Sequence, residues 1–342
     1  PWNGFKMCRA DAVPLSGESG IKEIEEIVMS EAFAAESAGT CETHDIKPAY
    51  WEKLKTFITF KGKPKIVVDY ANAMGVVEIE GIKDCFEITP LFEELDGSFP
   101  NHEANPLEAE NLEDVSQATK GSGAIFGAAY DGDADRCGFV DENGEIVTMD
   151  LITAMLAREV LKAGPAKILY DLRSSWAVKE YIEEYGGEAI QCRVGHAFIK
   201  NQMRECDSPF AGELAGHYYF KENFTAESSG LAMIMLANII DETGQSLSEI
   251  AAPLKKYHST GEINTSLTDF NAANAIMEKV KADYASGHQF ELDGISTEFD
   301  DWWFNMRRSN TEPKLRLIVE AKTAELMAEK RDELMAIVHS ML

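Results

Sequence analysis

Two stretches of this sequence, KIVVDYANA at residues 65–73 and KILYDLRSS at residues 167–175, are variants of one string. The likeness extends beyond them. Downstream of the first, AAYDGDADRCGFV reads as strand, acidic loop, strand; downstream of the second, FAGELAGHYYF repeats that order. The helical patterns DLITAMLAREVL and SGLAMIMLANII then align at an offset of 80 residues, Leu151 on Leu231. Such a repeat constrains the fold more than any single motif. A short β-branched run, closed by a turn and followed by a helix, buries both of its faces in a mainly parallel sheet with helices on either side. The tail departs from the pattern: residues 269–286 read as a helix, ELDGISTEF as a hairpin around Asp293-Gly294, and the stretch from Thr323 onward as a last helix. Between them KLRLIVEA alternates Leu315, Leu317 and Val319 against Lys314, Arg316 and Glu320. The expected fold class is α/β: repeated α/β modules with mixed, mainly parallel sheets, plus a C-terminal α+β domain beginning near Gly261. At the front, Gly20 to Ala34 carry Ile21, Ile24, Ile27 and Val28 at helical spacing, and the opening PWNGFKMCRA reads as if it starts mid-domain.

Charge narrows the function. With 32 Lys and Arg against 59 Asp and Glu, the 342 residues carry a formal net charge of -27. That repels a nucleic-acid backbone or an anionic membrane, and leaves a small anion held where basic residues gather in one cleft. No apolar run approaches the roughly 18 residues of a membrane span, and six cysteines with no C-x-x-C pair point to free thiols in a reducing compartment, hence a cytoplasmic location.

Four strings carry candidate chemistry. In DGDADR, alternate positions put Asp131, Asp133 and Asp135 on one side of an extended loop, where three hard oxygen donors converge on a divalent cation. A calcium hand is one rival, with Glu142 at the twelfth position, but Arg136 stands at the sixth, where the sharp turn wants glycine. A solvated acidic loop is the other; Mg²⁺, which needs few carboxylates, is preferred. In NMRRSNTEPKLRL, Arg307, Arg308, Ser309, Asn310 and Thr311 offer guanidinium forks, hydroxyls and an amide suited to a phosphate dianion, against the alternative of a charge-balancing basic turn. In GELAGHYYF, Glu213 and His217 flank a glycine-bracketed loop able to grip sugar hydroxyls, or form an ordinary surface turn. CRVGHAFIK sets Arg193, His196 and Lys200 near a strand end, with Arg173 as a candidate companion, as an anion cleft, an acid-base pair or simple capping charge.

Taken in order, NGFK, DGDADR, VGHAFIK, GELAGH and R-x-SNT resemble the α-D-phosphohexomutase superfamily, in particular its phosphomannomutase/phosphoglucomutase group, along essentially the whole chain. The resemblance implies domains at 1–45 (remnant of a first α/β domain), 46–163 (metal-binding loop), 164–260 (sugar-binding loop) and 261–342 (phosphate-binding α+β domain). It implies an isomerase of carbohydrate metabolism that interconverts hexose 1-phosphate and hexose 6-phosphate, of mannose or glucose, through a phosphoserine and a hexose 1,6-bisphosphate that is both intermediate and activator. Asp131, Asp133 and Asp135 would hold Mg²⁺. Arg136, His196 and Arg173 would serve the reacting group, Glu213 and His217 the sugar, and Arg307, Ser309, Asn310 and Thr311 the phosphate that is not reacting. The family's serine loop, TASHNP, precedes NGFK, so the chain is expected to begin past its nucleophile and to be inactive as written. Ala215 stands where many relatives have serine, which leaves hexose preference open. A non-catalytic sugar-phosphate and metal binder is the alternative from another functional class, and a calcium scaffold a third. Oligomeric state stays open, with a monomer preferred.

Overall fold

β-branched runs buried on both faces set the architecture. In the computed structural model, which describes residues 5–33, 39–267, 270–309 and 313–342, β1 (Lys65–Asp69), β2 (Glu87–Leu91), β3 (Gly127–Tyr130), β4 (Cys137–Val140) and β5 (Ile146–Val147) form a sheet in the order β2-β1-β3-β4-β5. β1 pairs in parallel with β2 and β3, while β4 is antiparallel to both β3 and β5, so β4 alone runs against the others. A second sheet, from β6 (Lys167–Asp171), β7 (Glu188–Cys192), β8 (Phe210–Gly212), β9 (Tyr218–Phe220) and β10 (Ala226–Glu227), has the order β7-β6-β8-β9-β10 and the same pairing senses. The repeat in the sequence is therefore a repeat of topology. Each copy places its reversing hairpin, β3–β4 or β8–β9, beside the carboxyl end of its central strand, where α/β sheets hold ligands.

The remaining strands are all antiparallel: β11 (His258–Ser259), β12 (Ile263–Ser266), β13 (His288–Phe290), β14 (Ile295–Glu298), β15 (Trp302–Arg308) and β16 (Lys314–Ala321). Helices Phe270–Asp283 and Ala324–Ser340 cover this sheet, and its apolar core is separate from that of the rest of the chain. The first two modules instead share one core. Ile66, Val68 and Phe139 of the first belong to the same cluster as Ile168, Phe210 and Phe220 of the second. The helices Met149–Leu161 and Ser229–Thr243 lie in that shared core, which is why the second is apolar nearly all round. Its one buried amide makes three bonds: Asn238 Oδ1 accepts from Thr59 N (2.9 Å) and Phe60 N (3.0 Å), and Nδ2 donates to Phe57 O (2.8 Å).

Two expectations are corrected. The front helix is shorter than 20–34, running Lys22–Ser30, and buries none of its residues; Ile27, Val28 and Met29 are exposed, since nothing described packs on them. Glu320, placed by alternation on the polar face of β16, is buried. There Glu320 accepts from Trp176 N of the second module (2.9 Å) and from Trp303 Nε1 of the neighbouring β15 (2.8 Å).

Replacing Asn238 by leucine keeps the volume but strands two backbone donors and one acceptor. At about 1–3 kcal/mol for each buried group left unpaired, partly relieved by relaxation, Asn238→Leu is expected to cost about 3–5 kcal/mol, read as a lowered urea midpoint with unchanged slope.

Candidate active site

The acidic loop joins β3 to β4. It closes through Asp131 N donating to Arg136 O (3.2 Å), with Ala134 left-handed at φ 66°. Asp131 is buried and anchors the loop, Oδ1 accepting from Arg136 N (3.1 Å) and Oδ2 from Arg136 Nε (2.6 Å); Arg136 Nη1 continues to Asn105 Oδ1 (3.3 Å). Burial pushes the Asp131 carboxyl up, and Arg136 pulls it partly back. Asp133 is exposed and Asp135 half-buried, yet one oxygen from each of the three aspartates lies within 4.8 Å of the others. An all-carboxylate donor set of this size fits a hard divalent cation. The Lys6 ammonium stands at the same place, paired with Asp135 and 3.6 Å from Asp133.

The loop between β8 and β9 meets this one face on. Cys137 N, the first residue of β4, donates to Gly216 O (3.1 Å), and Tyr218 OH donates to Cys137 O (3.1 Å). Gly216 is required here: its φ is +90°, and a Cβ would lie 2.8 Å from Met149 Sδ. Glu213, fully enclosed, accepts from Gly195 N (3.1 Å) and Tyr219 OH (2.6 Å) and lies 2.7 Å from His217 Nδ1. That last contact is close but lies out of line for a straight hydrogen bond. The ring's other nitrogen, Nε2, is 3.3 Å from Asp135 Oδ2. Burial alone would raise Glu213, but the bond and charge of His217, then Arg173 and Tyr219, bring it down to about 2. His196 opens the helix His196–Cys206, with Nδ1 4.0 Å from Glu227 Oε1; burial, then Lys200, hold its imidazole below its ordinary value. Lys200 is itself buried against Glu227 (2.5 Å), and Arg193 stacks on the Phe198 ring at 4.0 Å.

From the same loop the contacts run on to the C-terminal module. Leu214 N donates to Asp171 Oδ2 (2.8 Å), and Asp171 also takes Arg173 N (2.7 Å) and Nη2 (2.6 Å). Arg173 Nη1 reaches Glu262 (3.4 Å), which binds Arg307 Nη2 (2.8 Å) and Arg316 Nη1 (3.1 Å) as well. Glu262 would be raised by burial but is held low by these three guanidiniums. Arg307 Nε and Arg316 Nε are buried without hydrogen-bond partners, which leaves two donors for an anion. Ser309 is buried at the end of β15, its N donating to Lys314 O (2.8 Å), and Arg308 points outward. Asn310 and Thr311 lie outside the described residues. Arg173 is thus brought to Arg307 through Glu262. Two cavities of about 1040 and 840 Å³ contain none of these residues; the site is a line of facing loops.

Comparison with known proteins gives the chain's family. Three profiles match in chain order: Phosphoglucomutase/phosphomannomutase, alpha/beta/alpha domain II at residues 48–144, alpha/beta/alpha domain III at 148–257, and the C-terminal domain at 262–337. The chain belongs to the phosphoglucomutase/phosphomannomutase family. Among the relatives of this family of isomerases, a phosphomannomutase of Methanocaldococcus jannaschii is 42% identical over 98% of this chain and 76% of its own length. A phosphoglucomutase of Neisseria gonorrhoeae is 35% identical over 99% of this chain and 75% of its own. In structure, a phosphoglucomutase/phosphomannomutase family protein of Burkholderia thailandensis superposes with a TM-score of 0.86 at 28% identity, covering 96% of this chain and 71% of that one. Sequence reasoning passed over several residues that the structure brings to these loops. Lys6 sits within NGFK, a motif read only as a family marker, and Asn105 within a loop given little functional weight. Glu227 and Glu262 stand in strings with no signal.

The Glu213 carboxyl, about 2 when folded against an ordinary 4.5, favours the folded state fully above pH 4.5 and loses that contribution as pH falls toward 2. The stability gap between the wild type and Glu213→Gln is therefore expected to shrink over that window, by on the order of 3 kcal/mol, as read from urea midpoints at stepped pH. A gap independent of pH would contradict the assignment.

Proposed function

We propose that this chain is the metal-, sugar- and phosphate-holding part of a cytoplasmic, magnesium-dependent phosphohexomutase, interconverting hexose 1-phosphate and hexose 6-phosphate of mannose, glucose or both. The observation that carries the reading is the unbroken run of contacts from Asp135 through His217, Glu213, the Leu214 amide, Asp171, Arg173 and Glu262 to Arg307. It lines up a cation site, a polar loop and an anion site in the order a sugar phosphate presents its parts.

Asp131, Asp133 and Asp135 would hold Mg²⁺, which when bound supplies neutralisation of charge on phosphoryl oxygens. Arg136, fixed against Asp131, and Lys6 bring positive charge to the same end. Glu213 and His217 take hydroxyls of the ring, and the hydroxyl missing at Ala215 leaves both epimers open. At the far end Arg307, with Ser309, Asn310 and Thr311, grips the phosphate that stays put, while Arg173 and His196 flank the ring. The phosphoryl donor in this reading is a phosphoserine, which the resemblance puts on the N-terminal side of Lys6. A hexose 1,6-bisphosphate forms and turns over so that either phosphate can occupy either end. The residues here contribute alignment and fixed charge, the major sources of rate in phosphoryl transfer.

Calorimetric titration with glucose 1-phosphate and mannose 1-phosphate tests the binding half. Arg307→Ala should weaken either ligand roughly 10- to 100-fold, the loss of a charge-assisted contact, whereas Asp133→Asn should spare sugar-phosphate affinity and lower that for Mg²⁺. A polypeptide that also carries the serine loop is expected to turn over both hexose phosphates in a coupled assay primed with bisphosphate. Binding without any turnover in that longer polypeptide favours the non-catalytic binder, and no binding at all sinks both.

A further inference from the structure

The acidic trio is not the only donor set at the reacting end. Asp135, His217 and Glu227 each offer one ligand atom, and these three also lie within 4.8 Å of one another. We propose that Asp135, His217 and Glu227 form a second divalent-cation site, sharing Asp135 with the trio, that takes borderline transition ions of the zinc class.

The geometry around His217 carries the argument. Its Nδ1 is 2.7 Å from the Glu213 carboxylate, too close for two lone pairs, so Nδ1 bears the proton and Nε2 is the nitrogen left to bind. A carboxylate behind a histidine is the arrangement that orients imidazole ligands toward metal ions. Nε2 faces Asp135 Oδ2 at 3.3 Å. Two donors on one tetrahedral ion with bonds of about 2.0–2.1 Å stand about 3.3 Å apart, so this pair already has the spacing of ligands sharing a zinc ion. Glu227 is the third donor. Its side chain is only 7% exposed and its Oε1 makes no hydrogen bond, although Lys200 holds the other oxygen. Oε1 is directed at the same point, 4.0 Å from the Lys6 ammonium that pairs with Asp135. Lys6 is thus a monovalent stand-in at this position. Its side chain is 44% exposed, free to swing out when a divalent ion enters.

The two sets differ in chemistry. Three carboxylates suit Mg²⁺, whereas imidazole plus two carboxylates suits Zn²⁺, Co²⁺ or Mn²⁺. An ion in the second set takes Asp135 from the first and His217 from the sugar, so it opposes both. That inhibitory consequence rests on the function proposed above; the binding itself does not.

Co²⁺ provides the probe, titrated into the 342-residue chain after its exposed thiols, Cys8 and Cys41, have been alkylated. One Co²⁺ per chain is expected, with the intense visible d–d bands of a low-coordinate nitrogen and oxygen site, displaced by Zn²⁺ with equal stoichiometry. His217→Gln should abolish the bands, Glu213→Gln should weaken affinity roughly 10- to 100-fold by releasing the ring, and Asp133→Asn, outside this set, should leave them intact. Thermal midpoints of the metal-free variants, matched to wild type, exclude unfolding as the cause. Bands that survive His217→Gln, or disappear in Asp133→Asn, would place the ion in the trio or elsewhere and overturn the proposal. Loss of sugar-phosphate binding with the Co²⁺ site intact would count against the mutase reading alone, and the reverse outcome against this inference alone.

Discussion

Asp171 is the joint on which the site turns. Its carboxylate is fully buried, and it is satisfied only by drawing in two separate pieces of chain: the Leu214 amide of the polar loop, and the amide and guanidinium of Arg173. A buried anion left with fewer partners would be strongly destabilising, because desolvation is offset only by close, multiple donors. The loop that holds Glu213 and the arginine that reaches Glu262 are therefore fixed by a single group, and neither can drift without exposing that charge to an apolar surround. Glu213 repeats the device one step further out, with Gly195 and Tyr219 as its donors and His217 in close contact. The site is a sequence of alternating signs whose spacing is set by burial.

The two sheets show how one topology supports two tasks. Asp69 ends β1 as Asp171 ends β6, and each accepts an amide two residues on, from Ala71 or Arg173. In the first module the other oxygen goes to His102 at 3.0 Å, a contact within that module; in the second it goes to the guanidinium that leads outward. The reversing hairpins diverge likewise, one into three aspartates and the other into Glu213 and His217. They confront each other because the amide of Cys137 at the start of β4 bonds to Gly216 O across the junction, the approach that only a glycine at that φ permits.

Much of this was legible in the chain. Two copies of one string announced the duplicated topology, and the alternation Asp131, Asp133, Asp135 announced a cluster of oxygens, because both are local periodicities that secondary structure imposes directly. Glu320 was misread for the complementary reason: alternation assigns a residue to a face of a strand, but whether that face meets water depends on a partner far away in sequence. Glu262 and Glu227 gave no sign at all, since a single carboxylate beside Gly261 or before Ser228 has no pattern, and its meaning lies in arginines and a lysine brought from elsewhere by the fold. The exposed stripe of Ile27, Val28 and Met29 is the converse case, a correct periodicity with nothing described against it.

The common core of the first two modules has a mechanical corollary. Helices Met149–Leu161 and Ser229–Thr243 are locked in one apolar cluster, so the aspartate hairpin and its counterpart behave as a single anvil. The last module has its own core and is tied across the boundary chiefly by polar contacts, at Glu262 to Arg173 and at Glu320 to the Trp176 amide. The chain passes from the shared core to the last one through Gly261, which has a left-handed φ of +63°. On the function proposed above, a phosphate held at Arg307 would lie on the other side of that boundary from the aspartate hairpin, so one ligand would bridge both cores.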